Sequence, residues 1–289
     1  MRNWDKYRHR PRLSVPASGR YILRVPKDFS QFDAVLLDLD GTVYFEDHPL
    51  PGSADLIRRL QAEKIKFACI SNSTTSPQRV VKRLAGMGIA AAPEQIFTAG
   101  AAAVDYVVER FASPQGPRAF NLATEGVQEM LLGRGHWVQS DSEKCDCLII
   151  GAPANRYANF ERQRIALSLL RKGALAVGVC ADRIYPSPRG WEFGSGALTL
   201  MLAYAADVQP VYCGKPEKVF FAELCRRLGV AAERCVLIGD NLEADIRGGK
   251  QMGMKTILTM TGVATPADLA NASAQQRPDQ VIQDLRELV

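Results

Sequence analysis

Asp38 and Asp40 stand one residue apart at the end of the apolar run Ala34-Val35-Leu36-Leu37, and Gly41 follows them. Three later stretches also place polar groups just after apolar runs: Ser71-Asn72, Lys215 and Asp240. Asp38 and Asp240 can supply hard oxygen ligands, and the backbone carbonyl near Asp40 can add another. Such a set suits Mg2+, which takes few carboxylates together with water and phosphate oxygens. It does not suit zinc, because His9, His48 and His136 show no ligand spacing and the cysteines do not pair. The Ser71 hydroxyl and the Asn72 amide are donors for a phosphate oxygen, and Lys215 brings a compact positive charge. Together these groups describe a site for a phosphate dianion beside a metal.

Magnitude narrows the chemistry. Hydrolysis of a phosphate monoester needs an acceleration approaching ~10²¹-fold, more than ~20 kcal/mol of barrier. One carboxylate acting as a general base supplies only about 10²–10⁴-fold. A metal, a lysine and a covalent nucleophile acting together are a sufficient route. Asp38 beside Mg2+ stays ionised and can attack phosphorus. Extended backbone turns Asp40 away from Asp38, and a turn at Gly41 swings it back toward the leaving oxygen. There Asp40 would protonate the leaving alkoxide and then deprotonate the water that hydrolyses the aspartyl phosphate.

The elements that position these groups alternate. Strands are expected at Asp33–Leu37, Lys66–Ser71 and Ile96–Thr98, with helices at Ser53–Glu63, capped by Ser53, and Pro77–Gly86. A second series follows: strand Arg118–Leu122, helix Thr124–Leu132, strand Cys147–Gly151, helix Phe160–Lys172 and strand Leu175–Cys180. The stretch ADRIYPSPRGWEFGSGA is rich in Gly and Pro, has no periodicity and reads as a connection between domains. Beyond it come helix Ala197–Tyr204, strand Val211–Cys213, helix Lys218–Leu228, strand Cys235–Ile238, helix Ala244–Met252 and strands Lys255–Leu258 and Gln280–Ile282. Alternation of this kind implies a doubly wound parallel sheet interrupted by an α/β insertion. In such sheets ligands bind where the carboxyl ends of the strands converge, and the four polar strand ends can meet along one edge.

Composition sets the frame. The chain of 289 residues is long enough for one large or two modest domains. It holds no apolar run of membrane-spanning length. The seven cysteines are scattered, which points to reduced thiols and a cytoplasmic setting. Residues 1–30 carry eight Lys and Arg against two Asp, a net +6, so the rest of the chain is about −1 of the total +5. The body therefore excludes a basic nucleic-acid binder, and only the arm leaves that partner open.

These residues resemble the haloacid dehalogenase superfamily of phosphohydrolases over about residues 32–289. DLDGTVY is similar to its first motif and implies Asp38 as nucleophile and Asp40 as acid/base. SNS at 71–73 is similar to the second and implies Ser71 as a phosphate ligand. GKP at 214–216 is similar to the third and implies Lys215. GDNLEAD at 239–245 is similar to the fourth. It implies Asp240 as a Mg2+ ligand, with Asn241 and Asp245 behind it and Asp245 orienting metal-bound water or Lys215.

The position of the insertion, between the second and third motifs, resembles subfamily IIA, the p-nitrophenyl-phosphatase and nucleotidase-like branch. FGSGAL at 193–198, TEGV at 124–127 and CLIIGAP at 147–153 are similar to that branch as well. The resemblance implies a Rossmann-like doubly wound core over 31–99 and 195–289, an inserted α/β cap over 100–194, and a homodimer through the cap. The implied reaction is Mg2+-dependent hydrolysis of a small phosphorylated metabolite through an aspartyl phosphate. A phosphotransferase or mutase using the same intermediate is the alternative, as is a non-catalytic protein binding through the arm. The second motif is usually Thr-Asn-Asn and here keeps only the hydroxyl and the central Asn. Within the cap the usual Thr-Asn-Pro/Arg-Asp is replaced by Val179-Cys180-Ala181-Asp182. Asp182 and Arg189 are the candidates for touching the substrate from that side.

Overall fold

The computed structural model describes residues 28–151, 158–187 and 190–289. Most of the basic arm therefore lies outside the described residues, and so does Arg189. The first elements in the chain are strands β1 (Ala34–Asp38), β2 (Tyr44–Phe45) and β3 (His48–Pro49), helix α1 (Ser53–Ala62), strand β4 (Phe67–Ser71), helix α2 (Pro77–Gly86) and strand β5 (Ile96–Thr98). Next come α3 (Ala99–Arg110), β6 (Arg118–Leu122), α4 (Glu125–Leu131), β7 (His136–Trp137), β8 (Cys147–Ile150), α5 (Phe160–Arg171) and β9 (Leu175–Gly178). They are followed by β10 (Ile184–Ser187), β11 (Gly190–Phe193), α6 (Ser195–Ala206) and β12 (Val211–Tyr212). The chain closes with α7 (Lys218–Leu228), β13 (Cys235–Gly239), a π-helix (Leu242–Arg247), α8 (Gly248–Gln251), β14 (Lys255–Thr259), α9 (Pro266–Ala270) and β15 (Gln280–Ile282).

Two compact units result. One takes the described residues up to Ser71 together with Val80–Phe97 and Phe221–Val289; the other takes Asn72–Arg79 and Thr98–Phe220. The first is built on a six-stranded sheet in the order β15-β14-β13-β1-β4-β5. β1 runs parallel to both β13 and β4, with Leu37 level with Ile238 and with Cys69. All five residues of β1 and of β4 are buried, as expected of strands covered on both faces. Val35, Leu37, Val236, Ile238 and Ile257 pack with Leu56, Ile57 and Leu60 of α1 on one face. From β1 the chain winds one way to β4 and β5, and on its return the other way through β13, β14 and β15. The order therefore reverses between β1 and β13, the place where open α/β sheets form a crevice.

The second unit has its own five-stranded sheet, in the order β12-β9-β8-β6-β7, with every pair parallel. Phe120, Leu148, Ile150 and Leu169 pack there with Leu198 and Leu202 of α6. Among the described residues no helix is long and apolar enough to cross a membrane.

Several elements differ from the sequence-based expectation. The Gly/Pro-rich stretch forms a β10–β11 hairpin, pairing Tyr185 with Glu192 and Pro186 with Trp191. A two-stranded ribbon is all edge, so Pro186 costs it no interior ladder bond. β12 joins the second unit's sheet beside β9, whereas the sequence reading placed it in the first sheet. A two-residue strand has no pattern that says which sheet it enters. With it, α6 and β12 fall in the second unit, which ends at Phe220. Helix α3 was not foreseen, because its run of Ala and Gly gives little periodicity. Ser53 is the first helical residue rather than the cap; the cap is Gly52, and the Ser53 hydroxyl donates to the Leu50 carbonyl. The expected helix from Ala244 begins earlier, as the π-helix.

Candidate active site

The first unit places three carboxylates together. Asp38 closes β1, and Asp240 follows β13 on the neighbouring strand. Asp245 comes from the π-helix, whose wide turn is visible in the Asp245 and Ile246 amides both donating to the Asn241 carbonyl. Oxygens of the three lie within 4.8 Å of one another, and all three residues are buried. Asp240 and Asp245 have support in the backbone. The Val263 amide donates to Asp240 Oδ2 at 2.6 Å, and the Asn241 amide donates to Asp245 Oδ2 at 3.1 Å. The Asn241 side chain caps the π-helix, accepting from the Glu243 and Ala244 amides.

Glycines leave room for this cluster. A Cβ on Gly262 would stand 1.7 Å from Asp240 Oδ2, and one on Gly41 would stand 2.4 Å from it. A Cβ on Gly239 would meet Asp245 Cγ at 2.4 Å. Gly41 also turns the chain with φ +92°, a value other residues rarely adopt. Beyond that turn the Leu39 carbonyl accepts from the amides of Thr42, Val43 and Tyr44, and the Gly41 carbonyl accepts from the Thr261 hydroxyl at 2.6 Å.

Asp40 differs from its neighbours. It is exposed, stands outside the three-carboxylate cluster, and accepts from the Tyr44 hydroxyl at 3.4 Å. Burial, with the Asp40 charge next, pushes the Tyr44 phenol well above its ordinary value, so it remains a donor. The Arg83 guanidinium lies 4.5 Å from the Tyr44 ring centroid. Burial, then the Asp38 charge, pushes the Cys69 thiol up to about 12. Ser71, at the end of β4, is buried at 3 % exposure.

The second unit begins at Asn72, and its side chain is a hub. Asn72 Nδ2 donates to the Lys215 carbonyl at 3.0 Å and to Asp182 Oδ2 at 3.0 Å. Asn72 Oδ1 accepts from the Lys215 amide at 2.8 Å. The Asn72 side-chain amide is therefore committed to Lys215 and Asp182. A Cβ on Gly214 would stand 2.7 Å from Asn72 Oδ1, so only glycine fits before Lys215. Lys215 itself is buried at 2 % exposure.

A family model described as haloacid dehalogenase-like hydrolase matches residues 35–136, and a second, HAD-hydrolase-like, matches residues 212–288. An acid sugar phosphatase of Staphylococcus aureus is 32 % identical over 260 residues, spanning 90 % of this chain and 97 % of that protein. The chain belongs to the haloacid dehalogenase-like hydrolases. Among solved structures, a 4-nitrophenylphosphatase from Thermotoga maritima matches with a TM-score of 0.81 and 29 % identity, over 90 % of this chain and 97 % of that one. A glycerol phosphate phosphatase from Mycobacterium tuberculosis, solved with magnesium, matches with a TM-score of 0.80 and 25 % identity, over 90 % and 78 %. The likeness extends to subfamily IIA, whose fold of a parallel-sheet α/β core with an inserted α/β cap this structure matches.

The three buried carboxylates are a group that could hold a metal ion, and their donors are all oxygen, with no thiol or imidazole among them, which is the donor chemistry of a hard divalent cation. Asp245, which the sequence led us to expect behind the ligands, lies with Asp38 and Asp240 in this group. The π-turn that brings it there has no sequence signal beyond Gly239 and the capping Asn241. The loop Thr261–Val263, which closes over Asp240, was missed as well. Thr-Gly-Val after an apolar strand reads as an ordinary turn.

Proposed function

We propose that this haloacid dehalogenase-like hydrolase is a Mg2+-dependent phosphatase of small phosphate monoesters. The observation that carries the reading is the cluster of Asp38, Asp240 and Asp245 at the point where the sheet order reverses. Relatives named acid sugar phosphatase, glycerol phosphate phosphatase and 4-nitrophenylphosphatase support the substrate class. Asp38, Asp240 and Asp245, with the backbone at Asp40, would hold the cation, which when bound offsets the charge of the phosphate and of the attacking carboxylate.

The chain's own groups then divide the work. An Asp38 carboxylate oxygen bonds to phosphorus as the bond from phosphorus to the leaving oxygen breaks. Asp40, exposed and held by Tyr44, gives its proton to that oxygen, and the alcohol departs. Asp40 then takes a proton from the water that attacks the aspartyl phosphate, and phosphate leaves with Asp38 restored. The Ser71 hydroxyl and the Lys215 ammonium steady the remaining phosphate oxygens.

The test is release of phosphate from a panel holding sugar phosphates, glycerol phosphate, phosphoglycolate, nucleotides and p-nitrophenyl phosphate. EDTA and Asp38→Asn serve as controls. Mg2+-dependent release lost in Asp38→Asn is the expected result; an active Asp38→Asn enzyme refutes the mechanism.

We also propose that the chain self-associates through α6 of the second unit. SGALTLMLAYAA carries no charge, yet Leu200, Met201 and Tyr204 are 55 %, 50 % and 91 % exposed. With Ala197 and Ala205 they form one helical stripe, with its large residues between small ones. Two copies laid antiparallel bury the same stripe on each, as a two-fold interface requires. An uncharged stripe of this kind is unusual on a monomer.

A further inference from the structure

We infer that Asp182 is a positioning residue for Lys215, acting through Asn72, rather than a group that touches the substrate. The inference rests on the phosphatase reading above only for its catalytic consequence. Asp182 Oδ2 accepts from Asn72 Nδ2 at 3.0 Å and from the Cys180 thiol at 3.2 Å. Burial, with the Asp182 charge next, holds the Cys180 thiol well above its ordinary value, so it stays protonated and able to donate. Asn72 in turn grips both backbone groups of Lys215, its amide and its carbonyl.

That single Asn side chain therefore fixes the peptide planes on either side of the Lys215 Cα, and with them the direction in which the side chain leaves the backbone. Rotation of the Asn72 amide would break all three of its bonds at once. Asp182 accepts one of the two Nδ2 hydrogens and so blocks that rotation. Asp182 has a fixed base of its own. Its carbonyl accepts from the Gly196 amide at 2.9 Å, and the Arg183 carbonyl accepts from the Gly194 amide at 2.8 Å. A Cβ on Gly196 would stand 2.4 Å from the Ala181 carbonyl oxygen, so the start of α6 lies flush against residues 181–183. The sequence reading made Asp182 a candidate for substrate contact; these bonds give its carboxylate another task. A chain of groups, Cys180 to Asp182 to Asn72 to Lys215, then carries the setting of the cap loop to the backbone of the lysine.

The test uses the full-length protein with Asp182→Ala, Asp182→Asn, Asn72→Ala and the double variant Asp182→Ala/Asn72→Ala. Two esters are compared, p-nitrophenyl phosphate and glycerol phosphate, with Mg2+ present. Misplacing a charged group by about 1 Å costs up to about 10²-fold in rate. Asp182→Ala is expected to lower kcat by about 10–10²-fold, by the same factor on both esters, with KM little changed. Asp182→Asn keeps an acceptor for Asn72 and restores most of the rate. The double variant is no worse than Asn72→Ala alone, because the two act in one chain. A loss confined to glycerol phosphate, with KM raised and p-nitrophenyl phosphate spared, overturns the inference and makes Asp182 a substrate contact.

Amide hydrogen exchange over 213–217 gives a readout independent of turnover. Faster exchange in both alanine variants, restored in Asp182→Asn, is expected; unchanged exchange in Asp182→Ala overturns the link. If the wild-type protein hydrolyses neither ester, the phosphatase reading fails while the exchange measurement still decides the connection.

Discussion

Gly262→Ala tests the carboxylate cradle with one methyl group. The added Cβ would lie 1.7 Å from Asp240 Oδ2, where non-bonded carbon and oxygen need roughly twice that separation. Asp240 must therefore withdraw by more than about 1 Å, giving up the 2.6 Å bond from the Val263 amide as it goes. A ligand displaced this far is expected to weaken cation binding by at least the 10–100-fold typical of lost support around a metal. The direct assay is the Mg2+ dependence of turnover, with the half-saturating concentration raised by that factor.

A thermal-shift titration measures the same loss without turnover. At a Mg2+ concentration about 100 times the wild-type Kd, bound metal stabilises the fold by about 2.7 kcal/mol; after a 100-fold loss of affinity about 0.4 kcal/mol remains. Gly86→Ala is the control, because a Cβ there meets nothing within 4 Å at the end of α2. It should leave the Mg2+ response unchanged and raise stability by up to about 1 kcal/mol. A Gly262→Ala protein with the wild-type Mg2+ response would refute the assignment of Asp240 as a ligand.

Three further outcomes follow from the described contacts. Asp40→Asn should cost about 10²–10⁴-fold on glycerol phosphate and less on p-nitrophenyl phosphate, whose phenolate departs without a proton; equal losses would remove the acid role. Tyr204→Asp should halve the mass seen by light scattering, since a buried charge without a partner breaks an apolar interface; an unchanged mass would place self-association elsewhere. In the second unit, hydrogen bonds from Arg118 hold the Asp146 carboxyl below its ordinary value of 3.8. A depressed carboxylate stabilises the fold above that value and loses its contribution as pH falls below it. Asp146→Asn should therefore lower the denaturant midpoint at pH 6, with the difference shrinking below about pH 4, and the loss stays small because solvent screens the pair. A pH-independent difference would contradict the ionic assignment.

Much of the first unit was legible because its strands are buried on both faces. AVLLD, FACIS and CVLIG are continuous apolar runs with a polar stop, and the stop marks where the carboxyl edge begins. Asp38, Ser71 and Asp240 could therefore be placed at strand ends from the order of residues alone. Lys215 could not be placed as well, since β12 is two residues long and pairs in the other sheet. Asp245 was visible as an acid near Asp240, but its place beside both Asp38 and Asp240 depends on a hydrogen-bond pattern, i to i+5, that side-chain periodicity does not encode. Asn72 looked like a phosphate donor because its amide could bond almost anything. Only the fold shows that all three of its bonds are taken by Lys215 and Asp182. The β10–β11 hairpin was hidden by its two prolines and its glycine, which read as loop until the cross-strand pairing is known.

The π-helical turn at Leu242–Arg247 holds one residue more per hydrogen-bonded ring than an α-turn. Deleting a single residue there would let the segment relax to α-geometry. It would rotate Asp245 away from Asp38 and Asp240 by about 100°, while β13 and β14 could keep their pairing. One codon is thus the genetic distance between a chain with three converging acids and a chain with two. A lineage of this fold can gain or surrender its third converging acid by an in-frame insertion or deletion, with no substitution in the sheet.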